Sequence, residues 1–210
     1  MLSLSSKPVL ETLNARLKEQ VGRFRKAHGR SPGLAVVLVG ADPASAIYTR
    51  RKGEAAVGIG MEHETIHLPP TATPSEAKAV VDRLNADPKV DGILIQRPLP
   101  AGFVEEAVAY WVSPDKDVDA FHPENVGRLV LGLPCFQPCT PSGVMLLLDH
   151  YKIEVAGKTA CVIGRSSIVG KPMASLLLQA NATVLHCHSK TKNLRELAQM
   201  VRDGHRAVMV

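Results

Sequence analysis

The chain has 210 residues, 45% of them apolar and 21% charged, with 25 Lys and Arg against 20 Asp and Glu for a net charge of +5. That balance excludes a disordered chain, and a chain of this length buries roughly 70% of its unfolded surface without needing a disulfide or a metal. The longest apolar runs, 34–39 and 144–148, are far too short to span a bilayer, and the N-terminus has no apolar signal-peptide core, so a soluble cytoplasmic protein is expected. Val9, Leu13, Leu17, Val21 and Phe24 recur at helical spacing and predict a first helix over 8–26. Leu34 to Val39 is apolar on both faces, as in a central parallel strand covered by helices. A turn at 40–43 leads into a helix ending near Val57, and a second strand is expected over 62–68. Thr73-Pro74-Ser75-Glu76 is a capping box with Pro at the first helical position, so a helix begins there and turns Ala77, Val80, Val81 and Leu84 inward. A third strand follows over 92–96.

Residues 97–142 are rich in Pro and Gly and predict short helices at most; Thr140-Pro141 opens the next helix. A second alternation follows: strand 159–163, loop 164–170, helix 171–179, strand 183–187, helix 193–201 and the start of a strand over 207–210. The rhythm is that of two α/β lobes with parallel sheets, divided as 1–140 and 141–210, and a cleft between two such lobes is a common place for a ligand.

Four cysteines are too few for a disulfide framework. Cys135-x3-Cys139 with His186 and His188 lacks the second close pair of a zinc site, and Cys161 and Cys187 sit in apolar runs as small hydrophobes, so no metal is expected. Lys18, Arg23, Arg25, Lys26 and Arg30 crowd the first helix and its exit without interleaved aromatics, which reads as a solvated face and not as a nucleic-acid surface.

The loop Gly164-Arg165-Ser166-Ser167-Ile168-Val169-Gly170 follows a strand and opens a helix, the setting a dinucleotide fingerprint requires, although Ser166 stands where G-x-G-x-x-G has its second Gly. NAD sites place an acid at the end of the next strand to hold the ribose hydroxyl. Here that stretch reads His186-Cys187-His188-Ser189-Lys190-Thr191-Lys192. With Arg165 it suits a 2′-phosphate, so NADP is expected over NAD. Ser45, Tyr48 and Lys52 share one helix face near the C-terminal end of the first strand, where open α/β sheets bind ligands. Gln96, ending the third strand, reaches the same crevice, and a lysine there can serve as acid or base.

Six motifs occur in order: Ser45-x-x-Tyr48-x-x-x-Lys52; Gln96-x-Pro98-Leu99-Pro100; Lys116-Asp117-Val118-Asp119; Pro138-Cys139-Thr140-Pro141-x-Gly143; Gly164-Arg165-Ser166-x-Ile168-Val169-Gly170-x-Pro172; and Cys187-His188-Ser189. Together they resemble the methylenetetrahydrofolate dehydrogenase/methenyltetrahydrofolate cyclohydrolase family over nearly the whole chain. The resemblance implies an N-terminal folate-binding lobe, a C-terminal Rossmann-like NADP-binding lobe and a homodimer. It implies that methylenetetrahydrofolate gives a hydride to NADP and that water then opens the methenyl cation to 10-formyltetrahydrofolate. Lys52, Gln96 and Tyr48 are implied as the catalytic residues, Lys52 central and tuned by Gln96; Tyr48 also stacks on the folate and Asp119 bonds the pterin, with Ser45, Pro98 and Leu99 beside the substrate. Arg165, Ser166 and Ser189 are implied to hold the 2′-phosphate, with Gly164, Ile168, Gly170 and Thr140 completing the cofactor site.

Two residues depart from the family pattern. Arg97 replaces an apolar residue and brings a cation near Lys52, and Ala120 stands where the family prefers Gly. The family's remaining Rossmann strands, a Gly-Gly-Val-Gly loop and a final helix lie outside these 210 residues. If they are the whole protein, hydrolysis of the methenyl compound is expected to exceed oxidation of the methylene compound. The alternatives are a member with cyclohydrolase or folate-binding activity only, or an NADP-binding interaction protein.

Overall fold

The computed structural model describes residues 4–203 and 207–209. They form two compact units, Lys7–Val118 and the described residues from Asp119 onward, the second joined by residues 4–6. The sequence reading divides the chain at 140; the segment 119–140 lies instead with the second unit, where helix Pro123–Leu131 buries Leu129 among that unit's apolar side chains. Tyr151 fastens the N-terminal segment: its hydroxyl donates to the Ser5 carbonyl at 2.9 Å and accepts from the Ser5 amide at 3.1 Å.

The first unit runs α1 (Lys7–His28), β1 (Gly33–Val39), α2 (Pro43–Gly58), β2 (Glu62–Leu68), α3 (Pro74–Ala86), β3 (Gly92–Ile95) and the single turn α4 (Glu105–Val108). Its strands pair in parallel in the order β2-β1-β3. Ala35, Val37 and Val39 pack with Ala77, Val81 and Leu84 of α3 and with Ile93. Val36 and Leu38 point the other way and are buried as well, which is why β1 carries no polar alternation. α2 closes against β1 and β2 with a stripe of small residues, Ser45, Thr49, Gly53 and Ala56. The Thr73–Glu76 capping box starts α3 as expected, and the Lys116 ammonium bonds the Leu84 and Asp87 carbonyls at its far end. β2 lies at one edge of the described sheet and is largely exposed, with Glu62, Glu64 and Thr65 open to water.

Arg30 departs from the solvated-face expectation. Its guanidinium forks onto Asp91 at 2.6 and 2.8 Å, and the same carboxylate accepts from the Gly33 amide at 2.8 Å, so the starts of β1 and β3 are tied together.

The second unit runs α5 (Pro123–Leu131), α6 (Cys139–His150), β4 (Thr159–Ile163), α7 (Gly170–Gln179), β5 (Thr183–Cys187), α8 (Leu194–Asp203) and β6 (Ala207–Met209). Val210, which the sequence reading assigns to the last strand, lies outside the described residues. The order β5-β4-β6, all parallel, repeats that of the first unit. Ala160 and Val162 face Met173, Leu176 and Leu177 of α7 on one side, while Cys161 faces Val201 of α8 on the other. Cys161 and Cys187 sulfurs stand 4.0 Å apart as buried thiols, and burial pushes the Cys161 thiol up. Among the described residues no helix is long and apolar enough to cross a membrane.

Candidate active site

In each sheet the first strand is central and its two successors lie on opposite sides, so the C-terminal end of the first strand is the switch point where such sheets bind ligands. In the first unit that end meets the start of α2 and the residue after β3. The Asp42 side chain caps α2 by accepting from the Ser45 amide at 2.7 Å. Hydrogen bonding to Ser45, side chain first and then amide, holds the Asp42 carboxyl below the usual carboxylate range.

Two turns along, the Lys52 ammonium donates to Gln96 Oε1 at 3.0 Å. The Gln96 amide is fixed at its other end, Nε2 donating to the Arg97 carbonyl at 2.6 Å, while its backbone amide bonds the Val37 carbonyl of β1 at 2.8 Å. Gln96 is therefore buried with its oxygen aimed at the lysine. Ser45 Oγ lies 3.4 Å from the same Arg97 carbonyl, to which it donates. Ser45 is only 2% exposed, whereas Tyr48 on the same helix is 58% exposed. The shared helix face therefore slopes from the core to solvent: Ser45 supports the site and Tyr48 presents an open ring. Pro98 is exposed behind a cis Arg97–Pro98 peptide, and Leu99 packs against the core. The Arg97 guanidinium, the cation expected near Lys52, ion-pairs with Glu105 of α4.

Asp117 is buried and pairs with Ile93 in an isolated bridge, so that member of its motif serves the fold. Asp119 follows in a turn, partly exposed, and belongs to the other compact unit. Ala120, next to it, has φ 56°, a left-handed conformation that accounts for a glycine preference there.

The loop after β4 has the features a pyrophosphate needs. Gly164 has φ 136°, which side chains rarely adopt, and a Cβ on Gly170 would lie 2.1 Å from the Gly164 carbonyl oxygen. Ser166 Oγ accepts from the Val169 and Gly170 amides at 3.1 and 3.3 Å and so braces the start of α7. The amides of Arg165, Ser166, Ser167 and Ile168 donate to no acceptor among the described residues, leaving a run of N–H groups at a helix N-terminus. Arg165 and Ser189 are both exposed, and the Ser189 turn is closed by the Thr191 amide on the His188 carbonyl at 2.8 Å. These residues fit a phosphorylated dinucleotide. Thr140 is exposed in the first turn of α6, between the buried Pro138 and Pro141.

The family model described as tetrahydrofolate dehydrogenase/cyclohydrolase, catalytic domain, matches residues 4–119, and that family's NAD(P)-binding domain matches residues 138–202. The chain belongs to the tetrahydrofolate dehydrogenase/cyclohydrolase family. It is 49% identical over 200 residues to the bifunctional protein FolD of Nitratidesulfovibrio vulgaris, covering 93% of this chain and 69% of that one. The crystal structure of the Campylobacter jejuni bifunctional enzyme FolD superposes with a TM-score of 0.87 at 45% identity, covering 91% of this chain and 68% of that one. The Trypanosoma brucei enzyme, complexed with NADP cofactor and inhibitor, gives 0.90 at 32% identity, covering 100% and 71%. The chain thus spans about two thirds of the length of these family members.

Three contributors escaped the sequence reading. Glu105 carries no motif, and its pairing with Arg97 spans eight residues of irregular chain. Asp42 is legible in hindsight as an N-cap before Pro43. The Arg97 carbonyl, which collects the Gln96 and Ser45 side chains, is a backbone group with no sequence signal.

Proposed function

We propose that this chain acts in one-carbon folate chemistry as an NADP-dependent methylenetetrahydrofolate dehydrogenase and methenyltetrahydrofolate cyclohydrolase. The observation that carries the reading is Lys52 held by Gln96 at 3.0 Å at the switch point of the first sheet. Tyr48 offers an exposed ring on which the flat pterin stacks. When bound, NADP accepts the hydride that leaves the methylene carbon. The product is a cationic methenyl group, and water adds to its carbon. Lys52 is the base that takes a proton from that water, a step that needs its nitrogen lone pair. Ring opening then gives the 10-formyl compound, with one water consumed and one proton released. Gln96 Oε1 accepts a hydrogen from Lys52 and keeps its lone pair directed, because the amide cannot rotate while Nε2 is tied to Arg97.

The 165–168 amides are assigned to the pyrophosphate, and Arg165, Ser166 and Ser189 to the 2′-phosphate. Ser166 Oγ already accepts two amide hydrogens, so it meets the phosphate through its remaining O–H. A homodimer in the cytoplasm completes the proposal, supported by the family resemblance.

Following methenyltetrahydrofolate absorbance tests the scheme. Its decay without cofactor reports the hydrolase, and its appearance from methylenetetrahydrofolate with NADP reports the dehydrogenase. Absence of both in a folded chain removes the proposal.

A further inference from the structure

His186 sits in β5, two residues before the His188 turn, and has no role in the scheme above. Its ring is exposed, and its Nε2 lies 2.7 Å from the Gly164 carbonyl oxygen. A carbonyl only accepts, so Nε2 carries the hydrogen and donates it. The Gly164 amide in turn donates to the Cys187 carbonyl at 2.8 Å. Both polar backbone groups of Gly164 are therefore tied to β5, one by the strand's backbone and one by a side chain. On the helix side the same carbonyl oxygen is crowded by Gly170, where a Cβ would come within 2.1 Å. The Gly164 carbonyl is wedged between the imidazole and the first residue of α7.

A glycine at φ 136° has many other conformations open to it, so the turn must be fixed from outside. The imidazole supplies that constraint one residue before the unpaired 165–168 amides. We propose that His186 is a positioning residue for the cofactor, its Nε2–H locking the Gly164 carbonyl so that these amides are preset to receive the pyrophosphate. The proposal rests on the reading of this loop as the dinucleotide site. The pyrophosphate is common to NADP and NAD, so the constraint acts on both. Arg165 and Ser189, as 2′-phosphate ligands, act on NADP alone.

Equilibrium titration of NADP and of NAD into the 210-residue chain separates these roles. His186→Leu is expected to weaken both dinucleotides by a common factor, about three- to tenfold for one lost hydrogen bond, leaving the ratio of the two affinities unchanged. His186→Gln keeps an N–H donor and is expected to stay within about twofold of the wild type. Hydrogen exchange at the Gly164 amide, measured without ligand, is expected to quicken in His186→Leu and to recover in His186→Gln. Unchanged affinities in His186→Leu, or a loss confined to NADP, overturn the proposal, as does a His186→Gln variant as weak as His186→Leu. A wild type that binds neither dinucleotide removes the cofactor reading and the proposal together. A wild type that binds both while His186→Leu binds equally well removes the proposal alone.

Discussion

Lys52 owes its place to a chain of three groups: its ammonium bonds Gln96, Gln96 bonds the Arg97 carbonyl, and β1 holds the Gln96 backbone. Replacing the lysine leaves that chain standing, because Lys52 is only partly buried and Met has a similar length. Lys52→Met is therefore expected to keep the fold, read as an unchanged denaturation midpoint, and to lose about 10²-fold or more of methenyl hydrolysis. Retained hydrolysis in the folded variant would remove Lys52 from the mechanism. Arg165 is exposed, and no hydrogen bond engages it among the described residues, so its removal costs the fold little. A charge-assisted bond to phosphate is worth roughly 1.5–3 kcal/mol, so NADP is expected to bind about tenfold or more tightly than NAD, and Arg165→Ala to erase most of the difference. Equal wild-type affinities would sink the 2′-phosphate assignment. Lys52, Tyr48 and Arg165 were legible because each lies in a local motif. Glu105 and His186 were not, because their partners are a side chain in irregular structure and a backbone carbonyl on another strand.

At the scale of elements, what the sequence spells is what its own neighbours decide. β2 and β5 fall where their apolar and β-branched residues place them, and α3 begins at its capping box. α2 was harder: it buries Ser45, Thr49, Gly53 and Ala56, small residues that carry no apolar periodicity but let the helix approach the sheet. The Arg30–Asp91 fork was invisible because its partners are 61 residues apart. Asp91→Asn breaks the ion pair and weakens the bond to the Gly33 amide. At about one-third exposure it is expected to cost about 1–2 kcal/mol in urea unfolding, solvent screening included. Three carboxyls are held below their ordinary range: Asp91 by the Arg30 guanidinium first, Glu76 by the Thr73 amide, and Asp42 by Ser45. Each binds its proton more weakly when folded. The stability they contribute is complete above the unfolded values near about 4 and is lost as the pH falls through the lower folded values. Urea midpoints are expected to stay level between about pH 5 and 7 and to drop in stronger acid, less steeply in Asp91→Asn. A drop that is equally steep in the variant would rule out the fork as a cause.

The whole molecule applies one plan twice: a parallel sheet with its first strand in the middle. The alternation of strands and helices made this plan legible, since each parallel pair needs a crossover. The assignment of residues 119–140 to the second unit was not legible, because short helices in a Pro-rich stretch bear no mark of the core they join. The plan also leaves open borders. β2 has a strand on one side only among the described residues, and its outward backbone groups could pair with any extended segment that meets them. Glu62 and Glu64 stand along that border in water, and on a second copy of the strand they would meet like charges. Like charges there oppose the pairing of β2 with a second copy of itself. Replacing both by Val is expected to leave the midpoint of urea unfolding nearly unchanged and to bring on light scattering at lower protein concentration during mild heating. Scattering no different from wild type would mean that another feature guards this edge.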